Sequence, residues 1–340
     1  LALKGQISGN LDFIQKNAGY SPEASLVIKD FQVNNFKQGD LKLYVKGENS
    51  YEKYNVNLAL DNEKVKSIAA IGTLDFSSKR PLINLNVFVE DFGLDAFSPL
   101  GQDVLSSLRG KANGDFTLKG FLRNPDMEGT LRLNGAGLKF PFLNVDYDFE
   151  GESIITLKEQ SFFLEDLKLK DTKNDTKARL KGSISHLDFK FWDLDINIDT
   201  ENLLVLDTKD SEKALYYGTA FLNGNASIKG LTDQLSIDVN GSTEPGTIFV
   251  VPLKDVQTVN NYKLIYFKSD TIAVKDIQKE LAQEALKGLS LNINLEVTKD
   301  ATARVVIDEV YGSQLSGNGN GNLDIRINTR GTCQMLGDYT

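Results

Sequence analysis

Apolar and polar residues alternate with a period of two along most of this chain. Leu289, Leu291, Ile293, Leu295 and Val297 are separated by Ser290, Asn292, Asn294 and Glu296. Successive side chains of a strand point to opposite faces, so such a segment has one apolar side and one wet side. The same alternation marks Leu41/Leu43/Val45, Val56/Leu58/Leu60, Leu131/Leu133 and Val145/Tyr147/Phe149. It returns in Ile237/Val239, Val305/Ile307 and Leu323/Ile325/Ile327. Continuous apolar runs of the kind buried in parallel α/β sheets are missing. The pattern predicts an all-β chain with one face in water.

Glycine punctuates the alternation at Gly47, Gly120, Gly135, Gly182, Gly230 and Gly241, usually after Lys or Asn. Such pairs suit tight turns, which predicts short strand connections there. One stretch is echoed: Gly114-Asp115-Phe116-Thr117-Leu118-Lys119-Gly120 matches Gly224-Asn225-Ala226-Ser227-Ile228-Lys229-Gly230. Each copy leads into a Gly-bearing strand with Phe and Pro, Gly137 to Pro141 and Gly246 to Pro252, which favours a stacked, extendable sheet. Two segments have helical spacing. Ser98 and Pro99 are placed as cap and first helical residue of a helix stopped by Gly110, and Ile277, Leu281 and Ala285 share a face between Asp276 and Lys287. Thr172 to Lys177 and Asp207 to Lys213 read as exposed loops.

The charge balance removes function classes. A formal net charge of −9 argues against nucleic acid, whose phosphates need a basic surface. With one cysteine, Cys333, no internal disulfide or cysteine metal site can form. With one histidine, His186, most histidine-based catalysis goes too, and a structural role at a strand end is the simpler reading. Asp193, Asp195 and Asp199 share a strand face because Leu194, Ile196 and Ile198 take the other. A glycosidase needs two carboxylates opposed across a cleft, so this row reads as a solvated face. Gly317 to Asp324 is a single imperfect copy of a calcium-roll pattern and reads as a glycine-rich turn. No metal, cofactor or catalytic residue is expected. No run of about 20 apolar residues is present, no signal peptide opens the chain, and the strand-like start predicts that the chain begins in mid-protein.

Several stretches together resemble the C-terminal part of the TamB family, the translocation and assembly module subunit within the AsmA-like group. They are Leu108-Arg109-Gly110 through Gly114, Leu118-Lys119-Gly120 and Asn124-Pro125 to Gly129-Thr130-Leu131-Arg132-Leu133; Asp166-Leu167 on to Ala178-Arg179-Leu180-Lys181-Gly182-Ser183-Ile184-Ser185-His186; Asn202-Leu203-Leu204-Val205-Leu206-Asp207 with Tyr217-Gly218-Thr219-Ala220; and Asp308, Gly312, Leu315, Gly317-Asn318-Gly319 and Leu323, closing with Met335-Leu336-Gly337-Asp338-Tyr339. The resemblance divides the chain into 95–340, the family-like segment, and 1–94, an upstream segment of the same strand style. It implies an elongated, U-shaped open sheet, mostly antiparallel, with one or two short peripheral helices. It also implies a periplasmic protein of a Gram-negative bacterium, anchored upstream in the inner membrane and reaching the outer membrane, with further strands after Thr340.

On that reading the apolar face is a groove for phospholipid acyl chains. Its expected lining is Leu131, Leu133, Val145, Tyr147, Phe149, Leu180, Ile184, Ile237 and Val239, continued by Leu291, Ile293, Leu295, Val305, Ile307, Leu323, Ile325 and Ile327. The expected docking edge for an outer-membrane barrel partner is Cys333, Gln334, Met335, Leu336 and Tyr339. The alternative is a chaperone-like assembly factor for outer-membrane β-barrels. A closed solenoid or sandwich adhesin would show the same alternation around a dry core, and a carbohydrate-active enzyme is the remotest option.

Overall fold

The computed structural model describes residues 2–16, 19–48, 51–62, 65–101, 106–141, 143–210, 216–252, 289–308, 313–327 and 333–340. Among them, 21 strands form a single, mostly antiparallel open sheet. The chain divides into two compact units, Leu1–Glu201 with Ser227–Thr232, and Asn202–Ala226 with Asp233–Thr340.

In unit one, β1 (Leu3–Lys16), β2 (Gly19–Val33), β3 (Phe36–Gly47), β4 (Lys53–Asn62), β5 (Val65–Asp75) and β6 (Leu82–Gly93) pair antiparallel in sequence order. β7 (Ser106–Phe121) and β8 (Asn124–Phe140) extend the ladder. The next rung is split. β9 (Val145–Glu150) takes one end of β8 and β10 (Ser153–Glu159) the other, and β11 (Ser161–Asp171) spans both. β12 (Lys177–Leu187) follows, paired with Phe191 to Glu201 of β13 (Phe191–Thr208).

The long strands are creased. Register slips occur at Lys4/Gln6, Ile28/Phe31, Val89/Phe92 and Leu164/Leu167, and an extra residue in one strand bends it. Several bends carry a left-handed residue, among them Asp30 (φ 49°), Asp91 (φ 51°) and Gly135 (φ 57°). Asp tolerates that conformation when its backbone is held locally. The Asp30 N–H donates to the Asp40 carboxylate at 3.0 Å, and the Asp91 N–H to the Asn113 side-chain oxygen at 2.8 Å. The amides freed by the bend are therefore satisfied.

In unit two, residues 217–226 belong to β14 (Tyr217–Leu231), which pairs with β16 (Ile248–Pro252). β15 (Leu235–Thr243) pairs in parallel with β17 (Leu289–Val297), and β16 in parallel with β18 (Thr302–Asp308). β19 (Ser313–Asn318) follows β18, β20 (Gly321–Ile327) follows β17, and β21 (Cys333–Tyr339) pairs with β20.

The structure corrects two expectations. Only a 3-10 helix, Leu94–Gly101, lies near the helix expected from Ser98 to Gly110, and β7 begins at Ser106. The helical spacing loses to tertiary pairing, since Arg109 and Lys111 are already in register with Gly137 and Asn134. The 3-10 helix packs beside β7 and β3: Ala96 is fully buried, and its carbonyl accepts from the side chain of Asn34, in the β2–β3 turn, at 3.0 Å. The helix expected between Asp276 and Lys287 lies outside the described residues. Several glycines expected in turns, Gly135, Gly182 and Gly241, instead lie inside strands. Gly182 faces the Asp195 carbonyl so closely that a Cβ has no room, the other reason for glycine in a strand. The internal echo survives as geometry: Gly114 and Gly224 have φ of 151° and 153°, Gly120 and Gly230 of 104° and 107°.

Candidate functional site: the apolar face

Register partners lie on the same face of a sheet, so the side-chain rows can be followed across strands. One row in unit one runs Ile7, Ile28, Leu41, Leu60, Ile68, Val89 and then Gly114, Leu131, Ile155, Leu164, Gly182, Ile196. Two residues along, a second row runs Gly9, Leu26, Leu43, Leu58, Ala70, Val87 and then Phe116, Gly129, Leu157, Phe162, Ile184, Leu194. Each row crosses twelve strands without a polar side chain. Between them the opposite face is mixed, with Ser8, Val27, Lys42, Ala59, Ala69, Phe88 (53% exposed), Asp115, Thr130, Thr156, Phe163, Ser183 and Asp195, and its next row carries Asn10, Ser25, Tyr44, Asn57, Ile71, Asn86, Thr117, Glu128 and Lys158. Burial is graded along the rows. Ile7 is 72% exposed and Leu26 39%, whereas Leu60 and Leu157 are 2% exposed.

The expected lining residues fall into such rows. Leu131 is in the first and Ile184 in the second, and Leu133 lies between Ala112 and Ser153. Beyond the crease, Val145 pairs with Phe140, Tyr147 with Leu138, and Phe149 with Leu169, while Leu180 sits between Leu167 and Ile198. Val145, Tyr147 and Leu180 are buried and Phe149 half-buried. Burial, and secondarily the nearby Asp171 carboxylate, holds the Tyr147 phenol well above its ordinary pKa. In unit two, Ile237 pairs with Leu291, and Leu291 with Ile327; Val239, Ile293, Ile325 and Met335 form a row, as do Gly241, Leu295, Leu323 and Gly337. Val305 is half-buried between Val251 and Leu315, whereas Ile307 is 56% exposed near the slip at the end of β18. Of the expected edge residues, Gln334 and Leu336 are exposed and lie in register with Arg326 and Asp324. Cys333 and Tyr339 lie opposite Ile327 and Gly321.

The polar face is laced with exposed ion pairs. Asp199 lies 3.4 Å from Lys181 and Asp195 3.4 Å from Lys229, so the aspartate row of β13 sits among cations on the outside. Arg109 donates to Asp146 at 2.7 Å and also to Asp148, reaching β9 from β7 across β8. Only Gly137 beneath it permits this, because a Cβ there would fall on the guanidinium. His186 is buried in an aromatic group, 3.8 Å from Phe189 and 5.2 Å from Trp192 between ring centroids. Its Nδ1 accepts from the Phe189 N–H at 3.3 Å, and burial lowers its pKa against a smaller upward pull from Asp188. Sequence reasoning missed the Arg109 bridge, whose carboxylates are 37 and 39 residues away. Among the described residues no three His, Cys, Asp or Glu side chains are placed to hold a metal, and no helix is long and apolar enough to cross a membrane.

Comparison with curated proteins found no match, and neither did comparison with solved structures. The family model for the TamB C-terminal domain matches residues 165–340, just over half of the 340. This chain therefore belongs to the TamB family, which serves outer-membrane assembly and transport in the bacterial envelope.

Proposed function

We propose that the apolar face carries phospholipid acyl chains through the periplasm between the inner and outer membranes. The observation behind this reading is the pair of uninterrupted apolar rows across twelve strands, exposed at the β1 end. An acyl chain lying on such a face gains about 0.8 kcal/mol per buried CH₂, and no polar side chain in the rows would arrest it. Weak, sliding occupancy follows, and no catalytic group is needed. The test is a photo-crosslinker at Leu131, Ile184 or Ile293, with Asn292 and Arg326 as polar-face controls. Capture of phospholipid at the first three alone is expected. Equal capture on both faces defeats the reading.

A second role is favoured by β21. It pairs with β20 and exposes Gln334 and Leu336, and strands can take up a further strand by backbone pairing. In this role it docks a periplasmic domain of an outer-membrane barrel partner, or a nascent barrel strand. Prolines at Gln334 and Leu336 remove ladder donors, so partner capture should fall while lipid capture at Ile184 persists. Capture that survives both prolines and deletion of 333–340 places docking elsewhere.

A further inference from the structure

The apolar face of unit one does not end in aliphatic side chains alone. At the strand ends of β12 and β13, His186 pairs with Trp192, two residues along from the pair Ile184 and Leu194 of the second row. Side chains two apart on a strand share a face, so the imidazole and the indole continue that side of the sheet. Phe162, which opposes Ile184, lies 6.2 Å from both rings between centroids, and Phe189 stacks on the imidazole at 3.8 Å. His186 is 5% exposed within this group. Burial favours the neutral ring, and with Nδ1 accepting from the Phe189 N–H its proton is on Nε2. That Nε2 is buried and has no hydrogen-bond partner among the described residues. Buried donors are normally paired, and one without an acceptor has lost its water with no replacement.

We infer that the Nε2–H of His186 is a station for the ester carbonyl of a lipid whose acyl chains lie on the neighbouring rows. A carbonyl suits it chemically, because it accepts a hydrogen bond and carries no charge, whereas a phosphate would have to shed its water among aromatic rings. It suits it by place as well. In a glycerolipid the esters join the acyl chains to the headgroup, and His186 joins the apolar row to the polar β12–β13 turn at Asp188 and Lys190. The shield on the row side is made of side chains, the half-buried rings of Phe162 and Trp192, which turn without breaking a backbone bond. The turn behind is pinned, with the Lys190 N–H donating to the Leu187 carbonyl at 3.0 Å and the Asp188 N–H to the Asn124 side chain at 3.1 Å. This rests on the groove reading and gives the sliding lipid an orientation, esters toward the β12–β13 turn.

The chain's single histidine makes the test direct, since isotope labelling of histidine gives the nuclear magnetic resonance signals of one imidazole. Detergent-dispersed phosphatidylethanolamine with ester-linked chains should move the Nε2–H proton of the full chain downfield. Its dialkyl ether analogue, with the same phosphate and no carbonyl, should leave that proton in place. In competition for a photo-crosslinker at Ile184, wild type should take the ester lipid over the ether lipid by roughly two- to tenfold, the worth of one hydrogen bond. His186→Phe keeps a ring in the stack and should take both lipids equally, with an unchanged circular dichroism spectrum. An equal shift with both lipids makes the phosphate the acceptor, and no shift with either leaves the N–H on a ring face. An ester preference that survives in His186→Phe places the carbonyl elsewhere. Each of these overturns the station, and where both lipids are still captured the groove stands. Capture of neither lipid at Ile184 strikes the groove as well.

Discussion

At the scale of single residues, the glycines distinguish what a neighbour can yield from what it cannot. Gly137 lies under the guanidinium of Arg109, the far end of a flexible side chain, whereas Gly182 lies against the Asp195 backbone. Gly137→Ala should cost about 1 kcal/mol, since Arg109 swings aside and loses partly exposed ion pairs. In an Arg109→Ala background the same change should cost almost nothing more, which a double-mutant cycle in urea measures. Gly182→Ala should cost roughly 2–4 kcal/mol, because a strand must move and φ is 144°. Equal costs at the two glycines would refute this account. His186 gives a pH dependence of known sign. Its folded pKa lies below the ordinary 6.5, so on acidification the unfolded chain takes up the proton first. Its contribution to stability is therefore present above about pH 6.5 and lost as the pH falls below it. The melting temperature of wild type minus that of His186→Phe should fall between pH 7.5 and pH 5; a flat difference rules the contribution out.

At the scale of elements, strand identity was legible and the creases were not. Alternation marks Leu289 to Val297 as a strand because one face is dry and the other wet, and the ladder pairs it accordingly. It cannot mark a bend such as Asp91, whose conformation depends on Asn113 reaching it from the next strand. Nor could local spacing show that residues 106–110 are extended, since their partners lie on β8. Alternation alone put Leu131 and Ile184 on an apolar face, but which residues of the other strands share their rows is set by register between strands. The split rungs β9/β10 and β15/β16, which decide what each row meets beyond the crease, were not legible either. The crease at Asp91 can be tested directly. Asp91→Gly keeps the left-handed conformation and gives up the exposed pair with Lys111 and the side-chain contact with Asn113, so about 1 kcal/mol should be lost. Asp91→Val forces a β-branched residue into φ near 51° and should cost roughly 1–3 kcal/mol in the same denaturant titration. A tolerated valine means that the bend is set elsewhere.

At the scale of the whole molecule, a sheet with one apolar face must cover that face, and this chain covers it unevenly. Around Leu60 and Leu157 the rows are packed by their own side chains, while at β1 and β2 Ile7, Leu11 and Leu26 stay 39–72% exposed. Local stability should follow the same gradient, because strands that bury little apolar area open at low free-energy cost. Backbone amides of β1 and β2 are thus expected to exchange with deuterium fastest in unit one, and those of β10 and β11 slowest. A ligand that binds the folded face and not the open form stabilises it by mass action, about 2.7 kcal/mol at a hundredfold excess over Kd. Phospholipid added in mild detergent should then slow exchange in β1 to β3 by up to about a hundredfold and leave β10 and β11 unchanged. Detergent without lipid supplies the baseline, and Ile7→Asp, which puts a charge on the exposed part of the row, should abolish the protection without altering exchange in β10. Protection that appears equally on the polar-face strand ends, or β1 amides already as slow as those of β10 before lipid is added, would mean the rows are closed to acyl chains.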